Sequence, residues 1–345
     1  MGLFERHPDN PIIRPGGLPW RRAVTFNPGV CLDDQGRTLL WERTAPALRP
    51  FQCVIGLQRS EDGVHFHQVG SEPVLTPAQL GSPHGSVQDP RVVRMDGRYL
   101  MTYAYRPYAW SSTPTGVGVP DSQQTAYPGF SGDDAENQTR SGVAESVDGR
   151  TWHHLAWVNE ATVDERNVIL FPERIDGAYV ALRRPSGMVS TQAAHAGTPG
   201  VQLSTSADLR TWSPLRMVLP PAFLWESNRL GGSTPPIRTA AGWLVFYHGV
   251  ETTDAALRAV TYRMGAALCA LDDPTRVLAR CPDPLLEPEA YYERVGVYIP
   301  NVVFPTGATV VDGVLRLYYG CCDTAIALAT APLDHVVDEV LRHAI

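Results

Sequence analysis

Five segments of this chain share one shape, a glycine-centred turn followed by an apolar, often aromatic run. They are DDQGRTLLWERT (33–44), RMDGRYLMTYAYRP (94–107), RIDGAYVALRRP (174–185), TAAGWLVFYHGV (239–250) and VVDGVLRLYYGCCDT (310–324). A glycine beside Asp, flanked by strand formers, is a hairpin signature. The anchors Gly36, Gly97, Gly177, Gly242 and Gly313 lie 61, 80, 65 and 71 residues apart. A strand-like run precedes each turn: FNPGVCL, VQDPRVV, NVILFPERI, STPPIRT and NVVFPTGATV. A small-residue run ending in a polar turn follows each, and three of these carry Ser-x-Asp with an aromatic residue four positions after the Asp. Three to four strands per unit, repeated five times, predict an all-β fold, a five-bladed β-propeller. Length alone would suggest two or three domains for 345 residues, but a closed β fold runs long as one, so residues 1–345 are expected to form a single domain.

The longest spacing coincides with 108–142, rich in Ser, Pro, Gly, Asp and Gln. That composition cannot build a blade, and the segment is expected to be an inserted loop, a lid or an interface for homo-oligomers. DHVVDEVLRHA near the end has helical spacing and is expected to cap the last blade.

The net charge of −7 is mild and no basic block occurs, which argues against a nucleic-acid or anionic-membrane partner. Arginine supplies the positive charge and suits bidentate recognition of oxyanions. No apolar run of 18 residues is present, and the first residues lack a basic stretch followed by an apolar one, so a cytoplasmic protein is expected. The six cysteines show no CxxC pair, and reduced, core-type thiols are expected.

Polar residues on otherwise apolar inner strands are the informative ones, because these strands line a propeller's channel. Asn27, Asp89, Arg166 with Asn167, Arg229 and Asn301 recur there, and Arg43, Tyr103, Arg183 or Arg184, His248 and Asp323 form a second ring. Neighbouring strand residues face opposite ways, so at most one of Arg183 and Arg184 points inward. Structure alone explains some of these: Asp89 precedes Pro90 and could start a turn, and His248 could be a hydrogen-bonded core histidine. Two carboxylates among several arginines and a histidine suit an anion with several oxygens. No ligand spacing for a metal is evident, nor any P-loop, G-x-G-x-x-G or G-x-S-x-G element.

FNPGV, VQDPRV, RNVILFPERI, LRRP, WESNRLGGSTPPI, YHGV, YRMGAAL and PNVVFPTGATVVDG, in this order, resemble glycoside hydrolase family 130, the mannoside phosphorylases and related mannosidases. The resemblance implies a five-bladed propeller that attacks β-mannosides with inorganic phosphate as co-substrate and no cofactor, giving α-mannose 1-phosphate with inversion. It implies that Asp89 is the general acid, its proton passing through the 3-hydroxyl of the mannosyl unit. Asn27, Arg43 and Asp323 then hold the mannose, and Arg166, Asn167, Arg184, Arg229 and His248 bind phosphate. Tyr103 joins the sugar-binding residues from its place in the second ring. The sequence departs from the family's habit at Arg229, where lysine is common, at Arg183, where histidine is common, and at Gln88, where glutamate is usual. Three other readings stand beside this one: a β-mannosidase of the same family using Glu173 or Glu226, a propeller that only binds carbohydrate, and a furanosidase, which needs three well-placed carboxylates.

Overall fold

Each Asp-Gly anchor closes a two-residue hairpin. Asp96 and Gly97, Asp176 and Gly177, and Asp312 and Gly313 all have positive φ, the paired left-handed geometry of a type I′ turn that fits the strand twist. The structure, a computed structural model, describes residues 2–110, 127, 129–131, 133–186, 199–257 and 259–345.

The hairpins extend into five separate antiparallel sheets. Blade 1 comprises Val24–Leu32, Thr38–Ala45, Val54–Ser60 and His67–Gln68. Blade 2 comprises Ser86–Met95, Arg98–Arg106, Arg140–Ser146 and His153–Trp157. Blade 3 comprises Glu165–Leu170, Tyr179–Pro185, Val201–Ser206 and Arg216–Leu219. Blade 4 comprises Arg229–Gly232, Gly242–Asp254, Ala259–Cys269 and Val277–Arg280, with Ile237–Thr239 as a further short strand. Blade 5 comprises Val303–Val311, Val314–Cys321 and Ala325–Pro332. Its outer strand comes from the other end of the chain, Glu5–Arg6 pairing with Thr330 and Ala329. This closes the ring and removes a free edge.

The core is a set of wedges between blades. Trp41 and Ile55 of blade 1 meet Val92 and Met101 of blade 2, and Leu100 of blade 2 meets Val168 and Ala181 of blade 3. Leu182 meets Trp243, Phe246 meets Leu317, and Tyr318 meets Leu40, so every adjacent pair shares one wedge. The Ser-x-Asp turns are built alike: Oδ1 of Asp62, Asp148 and Asp208 each accepts two backbone N–H groups of the following residues. The helix Leu333–Leu341 packs Val336 and Val340 into the wedge of blades 4 and 5, as its spacing predicts. All six cysteines are free thiols. The expected 108–142 insertion ends earlier than its composition suggests, because Arg140 already begins the third strand of blade 2; residues 111–126 of it lie outside the described residues.

Candidate active site

The inner strands of the first three blades each carry a bulge at the same place. Two residues oppose one on the neighbouring strand: Asn27 and Pro28 oppose Glu42, Asp89 and Pro90 oppose Tyr103, Asn167 and Val168 oppose Arg183. The bulged Asn27, Asp89 and Asn167 have φ of 46°, 51° and 59°, left-handed geometry that Asn and Asp tolerate best. A proline at the second bulge position forfeits no ladder hydrogen bond there. Bulges re-aim side chains, and Asn27 and Asp89 aim into the channel.

A cavity of about 230 Å³ opens there, and Asn27, Arg43, Gln88, Asp89, Arg166, Arg184, Arg229 and Asp323 help line it, while Asn167 and His248 do not and lie against Gly231 beside Arg184. Oδ1 of Asp89 accepts hydrogen bonds from Nδ2 of Asn27 at 2.9 Å and from NH1 of Arg43 at 2.8 Å. Burial would raise the Asp89 carboxyl, but the charges of Arg43 and Arg91 and the Asn27 donor hold it below the usual carboxylate range. Burial pushes Asp323 the other way, up to about 7, against Arg43 and with the Asp89 charge adding to the rise.

The opposite wall is basic. Burial first, then the neighbouring charges of Arg229 and Arg166, lower the Arg184 guanidinium to about 10, while its buried Nε has no partner. His248 is buried with a partnerless Nδ1 and lies edge-on to Phe304 at 4.5 Å. Burial, then Arg184, Arg91 and Arg229, hold it well below its usual range, so it is neutral at pH 7. Asn167, Arg184 and His248 converge on Gly231, where an added Cβ would lie 2.6–2.9 Å from all three. An anion placed among these groups would relieve the like-charge crowding and accept from the free Nε of Arg184.

Tyr103 is a correction. It does not line the cavity; it is buried in the wedge between blades 1 and 2, its hydroxyl 2.7 Å from Nδ1 of His154. The residue that pairs across the strand as Arg43 and Arg184 do is Ala104, one position on, and a one-residue step turns a strand side chain to the other face. Counting seven residues from the anchors Gly36, Gly97 and Gly177 gives Arg43, Ala104 and Arg184, a signal that composition alone does not weigh. The same alternation sends Arg183 away from the cavity to an ion pair with Glu165, so its departure from the family's histidine leaves the site untouched.

Sequence reasoning passed over Arg91, Asp164 and the aromatic residues of the cavity wall. Arg91 is 2% exposed and ties the bulge of blade 2 to the backbone of Ser233 at 2.6 Å. Asp164 also lines the cavity, which therefore holds three carboxylates. It accepts hydrogen bonds from the Thr139 N–H and the Ser186 hydroxyl. Burial opposes its ionisation, but Arg166 and these donors bring it down to about 2, which suits a loop anchor and not a proton carrier. Trp110, Phe51, Tyr262, Tyr298 and Phe304 give the cavity its apolar surface. Glu173 pairs with Arg238, and Glu226 is fully buried against Arg280; neither reaches the cavity. Among the described residues no group of three or more His, Cys, Asp or Glu side chains could hold a metal.

A ring of five blades with a carboxyl centre on one wall of its channel and a guanidinium cluster on the other defines an enzyme that joins a neutral substrate to an oxyanion. The sequence profile described as beta-1,4-mannooligosaccharide phosphorylase matches residues 5–117 and 122–342. The chain is 32% identical over 344 residues to a 1,2-beta-oligomannan phosphorylase of Thermoanaerobacter sp., covering 97% of this chain and 99% of the relative. It is 31% identical to a beta-1,4-mannooligosaccharide phosphorylase of Ruminococcus albus, covering 98% and 91%. In fold it superposes on a beta-1,2-mannobiose phosphorylase from Listeria innocua with a TM-score of 0.73 at 24% identity, covering 98% and 99%. The chain belongs to glycoside hydrolase family 130.

Proposed function

We infer that the protein is an inverting β-mannoside phosphorylase, acting on a manno-oligosaccharide or a mannosyl-glucose or mannosyl-N-acetylglucosamine unit and releasing α-mannose 1-phosphate. One observation carries the reading: the Asp89 carboxyl and the Arg166, Arg184 and Arg229 guanidiniums line the same cavity, where among the described residues neither Glu173 nor Glu226 reaches and the carboxylate beside the guanidiniums, Asp164, is engaged by Thr139 and Ser186. An inverting hydrolase needs a second carboxylate, roughly 6.5–9.5 Å from the acid, to deprotonate water; phosphate arrives as an anion and needs none.

In this reading Asn27, Arg43 and Asp323 hold the mannosyl unit beside Asp89. Arg166, Asn167, Arg184, Arg229 and neutral His248 desolvate and orient phosphate at the anomeric carbon. The positive charge of the three arginines keeps the nucleophile from being repelled by Asp89. Asp89 is the group through which the proton reaches the departing sugar. Trp110, half-buried in the cavity lining, offers a flat apolar face to the acceptor sugar. No described helix is long and apolar enough to cross a membrane, and we place the enzyme in the cytoplasm, where phosphate is abundant. The test is sugar release from a β-mannobiose with and without phosphate. Stoichiometric mannose 1-phosphate supports the reading, and free mannose formed at the same rate without phosphate makes the protein a β-mannosidase.

A further inference from the structure

The two carboxyl groups beside Arg43 are treated unequally. Oδ1 of Asp89 takes two donors, Asn27 and Arg43. Asp323 lines the same cavity, yet among the described residues no hydrogen bond supports its carboxylate, and only the charge of Arg43 favours its ionised form. It sits on the turn after the second strand of blade 5, with φ of 48°, a left-handed position that holds its side chain in the channel. A carboxyl that two donors and two guanidiniums keep ionised is poorly suited to store a proton in neutral solution.

We propose that Asp323 carries the catalytic proton in the resting enzyme and hands it on to Asp89, the anionic member, when the mannoside binds. The proposal rests on the phosphorylase reading for its substrate. The groups facing Asp323 are Arg43 from the second strand of blade 1, Asp89 from the bulge of blade 2 and Tyr298 from the segment before blade 5. Arg43 favours the anion and Asp89 opposes it. Burial, joined by Asp89, outweighs Arg43 and pushes Asp323 up to about 7, while Asp89 is held below the ordinary range. Two carboxyls pushed apart by their surroundings divide acid and base roles.

In the forward reaction the Asp323 carboxylic acid gives up its proton, which reaches the glycosidic oxygen by way of Asp89 and the hydroxyls of the mannosyl unit. A phosphate oxygen bonds to the anomeric carbon as the glycosidic bond breaks, and the leaving sugar takes the electron pair and the proton. The proton that hydrogenphosphate brought in returns to the pair as the sugar phosphate departs as its dianion. No further reactant is required.

The experiment compares wild type, Asp89→Asn and Asp323→Asn on a β-mannobiose and on a dinitrophenyl β-mannoside, whose leaving group needs no proton. Both are assayed from about pH 5 to about pH 9, with and without phosphate. Both variants should lose ~10²–10⁴-fold on the mannobiose and recover to within about tenfold of wild type on the aryl mannoside. The basic limb of kcat/KM, expected near the Asp323 value of about 7, should vanish in Asp323→Asn. Equal impairment of Asp323→Asn on both substrates, or an unchanged basic limb, overturns the proposal and leaves Asp323 a sugar-holding group. Carbon-13 NMR of the aspartate carboxyls in wild type needs no variant, and the absence of any carboxyl titrating above about 6 overturns it as well. Phosphate-independent turnover of both substrates by wild type would defeat the phosphorylase reading alone, since the comparison of variants still decides the role of Asp323.

Discussion

Asn27 donates its side-chain amide to Oδ1 of Asp89 across 2.9 Å, although 62 residues separate them in sequence. Both occupy the bulge of their blade, so one local irregularity, repeated, brings two blades together at the acid. Gly320 completes the arrangement, since a Cβ there would lie 2.1 Å from Oδ1 of Asn27. The residue at 320 pairs with Phe304 on the inner strand of blade 5, where any side chain would evict the amide.

Asp89→Asn should fold normally and bind phosphate while losing ~10²–10⁴-fold in turnover, because the amide keeps shape and hydrogen bonding but cannot pass a proton. Melting temperature, phosphate-induced stabilisation and kcat together check this. Retention of more than about a tenth of the wild-type rate removes Asp89 from the proton path.

Arg166→Ala should raise the KM for phosphate by about 30-fold or more and leave the KM for the mannoside nearly unchanged, since losing one partner of a desolvated, charge-assisted contact costs ~2–5 kcal/mol. Arg166 approaches Asp164 only at 3.7 Å in the free protein, so little structure depends on it. Wild type should also melt higher in phosphate, by ~2.7 kcal/mol of stabilisation at a hundred times Kd. A mutant equally weakened towards both substrates would mark a structural arginine.

Gly231→Ala tests the convergence on the phosphate side without removing any ligand. The new methyl would crowd Cε1 of His248, Nδ2 of Asn167 and Cδ of Arg184. Phosphate KM should rise by about tenfold or more. Unchanged phosphate kinetics would mean that the three side chains do not act as one site.

Asp323→Asn should stabilise the protein more at about pH 8 than at about pH 5. The folded-state value of about 7 lies above the ordinary aspartate value of 3.8, so between these the folded protein binds more protons than the unfolded chain. Stability is therefore lost as pH rises through that window, and the amide abolishes the loss. Asp89 has the opposite sign, its depressed value favouring the fold above the unfolded pKa. Thermal melts at the two pH values decide; equal shifts would place Asp323 in an ordinary solvated setting.

Tyr103→Phe should leave both Michaelis constants and kcat at wild-type values and cost about 1 kcal/mol of stability, the worth of one hydrogen bond. The lost bond is the 2.7 Å contact with His154 in the wedge of blades 1 and 2. A selective defect towards the mannoside would return Tyr103 to the site.

The sequence by itself determined the blade count, because each Gly anchor fixes a hairpin through local backbone geometry and five such anchors are visible in the chain. It also marked Asp89, Arg43, Arg184 and Asp323, since charge on an apolar inner strand is costly and stands out. The count of seven from each anchor also separates Ala104 from Tyr103. Tertiary structure alone decided what surrounds these positions, because the bulges at Asn27 and Asp89 bring two blades together at one carboxyl. The anchoring of Asp164 and the burial of Arg91 depend on partners such as Thr139 and Ser233 that come from distant segments. The division of protonation between Asp89 and Asp323 is likewise invisible in a linear chain: both are aspartates of one intrinsic acidity, and only the number of donors and the depth at which folding places each make them differ.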